Sequence, residues 1–315
     1  MVDGAGPTIE GTTVRNAPDF FSSGGLKFHC GPVFNLPEGF TVTGPGVSGC
    51  EPSDSDGDGV PDAIDACPAT PPGTAVNATG CSSACLTRFP GLVSWWPAEG
   101  TPLDAVGANH GVLFRGTGFG TGQVGQAFSF DGVDDLVHVP SSPGLNLQTA
   151  LTLDAWINPS IAGGQDRIIA GRPSGYRLIL LADDRLRFVF PLAVAGQVID
   201  QSLESTTAVS HDTWAHVAAT FDASTGEARL YVNGTLENTL VAPGSIAGMD
   251  RPFQIGGFDS SGVARALFAG LIDEVALFDR ALAPEEILLE MSLAGRCGEV
   301  PRDAHDDAYQ VPEDG

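Results

Sequence analysis

The sequence predicts an all-β fold, and three observations carry that reading. Strand-like segments recur from Leu92 to Phe278 with turn residues between them, the spacing of a sandwich or barrel. Gly 41 and Pro 23 supply many turns without a collagen period or low complexity. One stretch alone reads as a helix: Pro284, Glu285 and Glu286 open it, Ile287, Leu288 and Met291 give it an apolar face, and Gly295 closes it.

Composition narrows the function classes. The 315 residues are 42% hydrophobic and 17% charged, which describes a folded chain with room for one large domain and smaller modules. A net charge of −24 argues against nucleic acid and anionic membranes, which reward basic patches, and makes cations the natural counterpart. No apolar run is long enough to insert into a membrane. Met1 to Val14 lacks a basic segment followed by an apolar one, so the chain is expected to have lost a signal peptide or to be a piece of a longer protein. Six cysteines, an even number with no C-x-x-C, suit an oxidising extracellular or cell-surface setting better than a structural zinc site.

Residues 1–50 contain short apolar stretches (Leu26 to Phe28, Val33 to Leu36, Phe40 to Val42) between Gly and Pro clusters. They predict a small β-rich region, or the end of a preceding module, stapled by Cys30 and Cys50 because so small a unit needs a cross-link. Residues 51–85 follow as a linker. Counting Asp54 as position 1, side-chain oxygens fall at positions 1, 3, 5, 9 and 12 (Asp54, Asp56, Asp58, Asp62, Asp65), with Gly59 at 6 and the Val60 carbonyl at 7. That is the spacing of a calcium loop, and carboxylates so close repel one another without a cation. No helix can precede it, because Gly44, Pro45, Gly46, Gly49 and Pro52 stand there.

Cys67-Pro68, the run from Thr70 through Pro71-Pro72-Gly73 to Val76, and Gly80-Cys81 complete a block that resembles a thrombospondin type 3 repeat. The resemblance implies calcium on the aspartates and a Cys67 to Cys81 disulfide. The segment then reads as a stiffened joint rather than a switch, since no flanking helices exist to move.

The body spans residues 86–298. Ala127 to Phe130 leads into Asp131-Gly132, and Leu136 to Val139 is the next expected strand. Leu151, Leu153, Ala155 and Ile157 fall on one face of an alternating strand, with Thr152, Asp154 and Trp156 on the other. Tyr176 to Leu181 and Arg185 to Phe190 flank a hairpin tip at Ala182-Asp183-Asp184, and Leu230-Tyr231-Val232 runs into the hairpin signal Asn233-Gly234.

Five ordered blocks then carry a second resemblance: Phe130 to Pro140, Thr152 to Pro159, Trp214 to Asp222, Tyr231 to Gly234, and Phe268 to Val275 followed by Arg280-Ala281-Leu282. Together they are similar to a laminin G-like domain, a concanavalin A-type jelly-roll β-sandwich. The resemblance implies two curved antiparallel sheets with the first and last strands adjacent, and through that adjacency a Cys85 to Cys297 disulfide. It further implies a rim calcium held by the Asp104 side chain, the Gly107 and Asn109 carbonyls and the Asp273 carboxylate, although Val106 stands where serine is usual. Residues 299–315 form an acidic linker, of which Asp306 to Gly315 resembles the opening strand of cadherin-like or immunoglobulin-like repeats.

Catalytic signatures are missing or misplaced. Gly120 to Gly125 spells G-x-G-x-x-G, but a β-like segment follows where a dinucleotide site needs a helix. His211 and His216 lack the zincin glutamate, no G-x-S-x-G elbow occurs, and the E-x-D-x-x-E of glucanases on this fold is absent. Asp131, Asp134 and Asp135 read as turn formers, and Trp95, Trp96, Trp156 and Trp214 as packing residues. Arg172, Tyr176 and Arg265, in predicted loops, are the candidate ligand contacts. The expected function is a non-catalytic, calcium-stabilised extracellular module that recognises a glycan or a surface or matrix protein. A stalk or fibre subunit that contacts only itself, or the accessory domain of a secreted hydrolase, is the alternative.

Overall fold

The structure, a computed structural model, describes residues 53–65, 67, 70, 72–74, 76, 79–81, 90–160, 164–248, 250–260 and 263–292. The expectations for residues 1–50, for 299–315, for Gly295 and for the pairs Cys30 to Cys50 and Cys85 to Cys297 lie outside these.

In chain order the strands are β1 (Leu92–Trp96), β2 (Val112–Phe114), β3 (Gly118–Thr121), β4 (Gln126–Asp131), β5 (Leu136–Val139) and β6 (Ala150–Pro159). Next come β7 (Arg167–Gly171), β8 (Arg177–Leu180), β9 (Arg185–Val194), β10 (Gln197–Ala208), β11 (Ala215–Asp222) and β12 (Glu227–Val232). β13 (Thr235–Val241), β14 (Ser245–Ile246), β15 (Phe253–Ile255), β16 (Phe258–Ser260), β17 (Val263–Arg265) and β18 (Ala269–Phe278) finish the set, and helix α1 (Pro284–Ser292) follows.

Two eight-stranded antiparallel sheets result. The first runs β13-β12-β11-β6-β18-β4-β3 with β1 also on β18, and the second runs β10-β9-β8-β7-β15-β5-β2 with β14 on β9. The first and last strands, β1 and β18, are adjacent, as the jelly-roll resemblance implies: Trp96 faces Val275 and Leu92 faces Phe278.

Alternation explains how the sheets pack. Leu151, Leu153, Ala155 and Ile157 of β6 all enter the core between the sheets, where they meet Leu178, Phe188 and Phe190 of the second sheet and Val217, Ala219 and Phe221 of β11. Trp96 stacks on Phe253 with ring centroids 5.0 Å apart, tying β1 of one sheet to β15 of the other. The Asn233-Gly234 turn joins β12 to β13 with φ of 48° and 71°, the left-handed pair that a two-residue hairpin requires. Gly120 to Gly125 closes the β3–β4 hairpin, so no helix follows that glycine motif.

Part of the outward face of the first sheet is apolar as well, beside the buried polar Thr152, Asp154, His216 and Thr220, and two elements cover it. Leu282 and Ile287 bring the α1 segment onto Ala218, Tyr231, Ala276 and Phe278. The approach to the helix is fixed by Thr152, whose hydroxyl donates to Arg280 O (2.8 Å) and accepts from Leu282 N–H (2.9 Å). The Glu286 carboxylate caps the helix start at Ala283 N–H (2.8 Å) and takes both terminal nitrogens of Arg280. The second cover is the Cys67–Cys81 disulfide, formed as expected and buried in the same cluster beside Trp95 and Ala105. Thr79 Oγ1 reinforces the contact by donating to Ala105 O at 3.2 Å.

Replacing Cys67 and Cys81 together by alanine removes both a cross-link and part of this apolar cover. The variant should lose about 3 kcal/mol of stability, measured by thermal or denaturant unfolding against the wild type under non-reducing conditions.

Candidate functional site

Carboxylates gather at three places. At the first, the oxygens of Asp54, Asp56 and Asp58 lie within 4.8 Å of one another. Asp54 folds the loop by accepting Gly57 N–H (2.8 Å) and Gly59 N–H (3.0 Å), with both glycines at positive φ. Asp56 accepts Thr70 N–H at 2.7 Å, which draws the loop onto the disulfide turn. Asp58 accepts Val60 N–H through Oδ1, while its Oδ2 is buried without a hydrogen-bond partner. Asp62 faces Ser55, taking its N–H (2.7 Å) and hydroxyl (2.9 Å). Asp65 is buried against Gly80, where a side-chain carbon would stand 1.9 Å from its Oδ1. Burial first, and then the charges of Asp56, Asp58 and Asp62, push its pKa up to about 6 against the Cys67 N–H bond that lowers it.

The second place is the sandwich rim. Asp104 is fully buried and accepts three backbone N–H groups, from Trp95 (3.0 Å), Val106 (3.0 Å) and Asn109 (3.1 Å). Gly107 closes the same loop, and the Asn109 carbonyl accepts the Trp96 indole N–H at 2.8 Å. Asp104, Gly107 and Asn109 are thus brought together by the chain itself. Asp273 keeps other company. Its Oδ2 accepts Val124 N–H (3.0 Å), its Oδ1 is buried with no hydrogen-bond partner, and Glu274 and Glu99 are the neighbouring charges. Desolvation, then Glu274, then Glu99 raise the Asp273 pKa well above the carboxylate range. Glu99, raised to about 7 by burial, accepts Gln126 N–H at 3.0 Å.

Two features of the sequence build this second cluster. A register shift between Asp273 and Ala276 puts a bulge in β18, with Glu274 at φ 54°, and Glu274 accepts the Trp95 indole N–H at 3.0 Å. Gly122 and Gly125 let the β3–β4 turn press against the acids: a side-chain carbon would come within 2.6 Å of Asp273 Oδ2 at Gly122 and 2.2 Å of Glu99 Oε1 at Gly125. Glu99 and Glu274 escaped the sequence reading. For Glu99 the signal was the glycine spacing of the β3–β4 turn, which serves close approach to carboxylates, whereas the bulge that places Glu274 left none.

The third place holds Asp131, Asp134 and Asp135, also within 4.8 Å of one another. Here the acids shape a turn: Asp135 accepts Asp131 N–H (2.9 Å), Asp131 accepts Val133 N–H (2.7 Å), and Arg115 lies 3.8 Å from Asp134.

Two expected ligand contacts are corrected. Arg172 and Tyr176 are 2% and 1% exposed. Arg172 donates to Leu145 O (2.8 Å) and to Arg251 O (2.8 and 3.0 Å), and the Tyr176 hydroxyl donates to Leu145 O (2.7 Å), so both lock a buried loop and present nothing outward. Arg265, on β17, is exposed. Trp95 and Trp96 are buried packing residues, and His216 is buried edge-on to Trp156 at 5.4 Å.

A laminin G-type family model, described as the concanavalin A-like lectin/glucanases superfamily, matches residues 131–288, half of the chain. No curated protein gives a significant match. Among solved structures, the binding domain of Paraclostridial mosquitocidal protein 1 is 16% identical with a TM-score of 0.51, over 64% of this chain and 52% of that one. The binding domain of botulinum neurotoxin serotype D is 14% identical with a TM-score of 0.50, over 64% and 51%. Domain 4 of an extracellular arabinanase from Geobacillus stearothermophilus, solved with arabinotriose, is 18% identical with a TM-score of 0.49, over 64% and 98%. The chain spans about half the length of the first two, and at such identities the likeness is one of fold.

The carboxylate pKa values predict an acid-favouring stability profile for the metal-free protein. Each lies above its unfolded value near ~4. The contribution is therefore complete below that pH and is lost as pH rises through about 6 for Asp65 and about 7 for Glu99, with Asp273 following at higher pH. Melting temperatures in chelator should fall between pH 5 and 8, and Asp273→Asn should flatten the profile.

Proposed function

The chain belongs to the concanavalin A-like lectin/glucanases superfamily, and on that premise we propose that it is a non-catalytic, calcium-stabilised recognition module of an extracellular or cell-surface protein, with a glycan as its ligand. The observation that carries the calcium part is the pair of carboxylate clusters, each with a buried oxygen that no donor satisfies: Asp58 Oδ2 in the loop and Asp273 Oδ1 at the rim. Buried carboxylates repelling one another are costly, and a divalent cation with hard-oxygen preference is the partner that their chemistry fits.

In the loop, Asp54, Asp56, Asp58, Asp62 and Asp65 with the Val60 carbonyl would hold one ion, as in a thrombospondin type 3-like repeat. At the rim, Asp273 would anchor a second, with Glu274 and Glu99 as its neighbouring charges. Bound calcium would cancel repulsion and stiffen surfaces rather than take part in a reaction. Recognition rather than glycan cleavage is supported by the sequence, which lacks the E-x-D-x-x-E carboxylate array of glucanases on this fold. Fold alone would not decide between these roles.

Calcium at about 100 times its dissociation constant should stabilise the chelated protein by roughly 2.7 kcal/mol per site, read as a rise in melting temperature. Asp58→Asn should weaken the loop site and Asp273→Asn the rim site, each seen by titration calorimetry. On a glycan array, saturable binding that chelator abolishes supports recognition; a blank across glycans and matrix proteins, with calcium present, would leave the stalk reading.

A further inference from the structure

The two outward sheet faces differ. That of the first sheet is covered by the disulfide and the α1 segment. On the second, the β16–β17 hairpin lays Phe258 over an apolar patch of Ile168, Ile179, Leu181 and Val189, while Arg177, Arg187, Ser202 and Glu204 keep partial or full exposure among the described residues. Leu178, Phe188 and Leu203 point into the core, so their strand neighbours Arg177, Arg187, Val189, Ser202 and Glu204 point outward. Cross-strand register aligns them in rows: Arg177, Val189 and Ser202 in one, Ile179, Arg187 and Glu204 in the next.

Three arginines stand on this face, and two are neutralised. Arg185 meets Asp183 (2.8 Å) and Glu204 (3.0 Å), and Arg187 meets Glu204 (2.6 Å) and Asp166 (3.4 Å). Arg177 has no carboxylate at ion-pair distance among the described residues. Its Nη1 donates to Gly175 O at 2.9 Å, which fixes one side of the half-buried guanidinium. The nearest acidic influence on it is the longer-range charge of exposed Asp200, which leaves the other donors of the guanidinium for a ligand.

We propose that this row is the ligand site, and that it takes a saccharide bearing a carboxylate, which docks on Arg177. The proposal rests on the glycan reading above and names its chemical class. A guanidinium presents a planar fork of donors that matches a carboxylate bidentately. Val189, between Arg177 and Ser202, is buried in the patch under Phe258, so the saccharide is held by the polar groups at the two ends of the row. Ser202, two strands from Arg177 and thus about 10 Å away, offers a hydroxyl to the far end of a short saccharide. Exposed Asp200, whose charge reaches Arg177, sits next to Ser202 in the following row; it accepts sugar hydroxyls and repels a second acid, which sets the direction of the ligand.

The test is calorimetry with calcium-loaded full chain against oligogalacturonate, oligomannuronate and a sialylated trisaccharide, each beside its carboxyl-reduced counterpart, and against a sulfated oligosaccharide. The wild type should bind at least one carboxylated probe, and carboxyl reduction or Arg177→Met should weaken it about ten- to a hundredfold. Arg177→Lys should keep part of the affinity, and unchanged melting temperatures for both variants exclude misfolding. Undiminished binding by Arg177→Met, or preference for the reduced or the sulfated probe, overturns the Arg177 assignment and leaves glycan recognition to be judged by the array. Failure to bind any glycan overturns both.

Discussion

The constraint on which the rest of this structure depends is that the first sheet carries apolar side chains to be buried on both of its faces. A sandwich buries the inner face of each sheet by packing the two together, but Trp95, Ala218, Tyr231, Ala276 and Phe278 point the other way. They need a lid, and a single nine-residue helix is too small to supply all of it. The disulfide turn completes the cover, so the loop ahead of the sandwich is tied to the domain's packing as well as to its own cluster of carboxylates. Strain or order in that loop is therefore felt by the sheet beneath it.

Electrostatics follows from the same economy of space. The acids that matter are held where backbone comes unusually close: Asp65 against Gly80, Asp273 against Gly122, Glu99 against Gly125. In each case the glycine admits a carboxylate that any larger residue would exclude, and burial then raises the carboxylate's pKa. The bulge at Glu274 adds an acid that regular alternation would have sent to the opposite face. The positive groups show the reverse pattern, with Arg172 spent on carbonyls in the interior and Arg177 held open on the second sheet.

Much of the architecture was legible because it follows from period and turn chemistry. The alternation of Leu151 to Ile157, the Asn233-Gly234 turn and the Pro284 helix start all depend on residues a few positions apart. The Cys67 to Cys81 pair was likewise readable from its local block. What could not be read depends on neighbours distant in sequence. Arg172 and Tyr176 look like loop residues until Leu145 and Arg251 close over them, and Glu99 looks like a surface acid until the turn of β3 and β4 packs against it. The bulge in β18 has no local signature, since Glu274 is an ordinary strand-flanking acid until register is fixed by β6 on one side and β1 on the other.

The pairing of β1 with β18 has a consequence for how the domain comes into being. β18 is the common neighbour of β6, β4 and β1, and Trp95 meets Glu274 across 179 residues of chain. Until a ribosome has made residues 269–278, the first sheet is two unconnected pieces, and β1 waits with its tryptophans uncovered. Such non-local closure slows folding. A nascent or truncated chain that stops short of β18 lacks its keystone strand, and it exposes the sticky edges of β6 and β4 to whatever other chains are near.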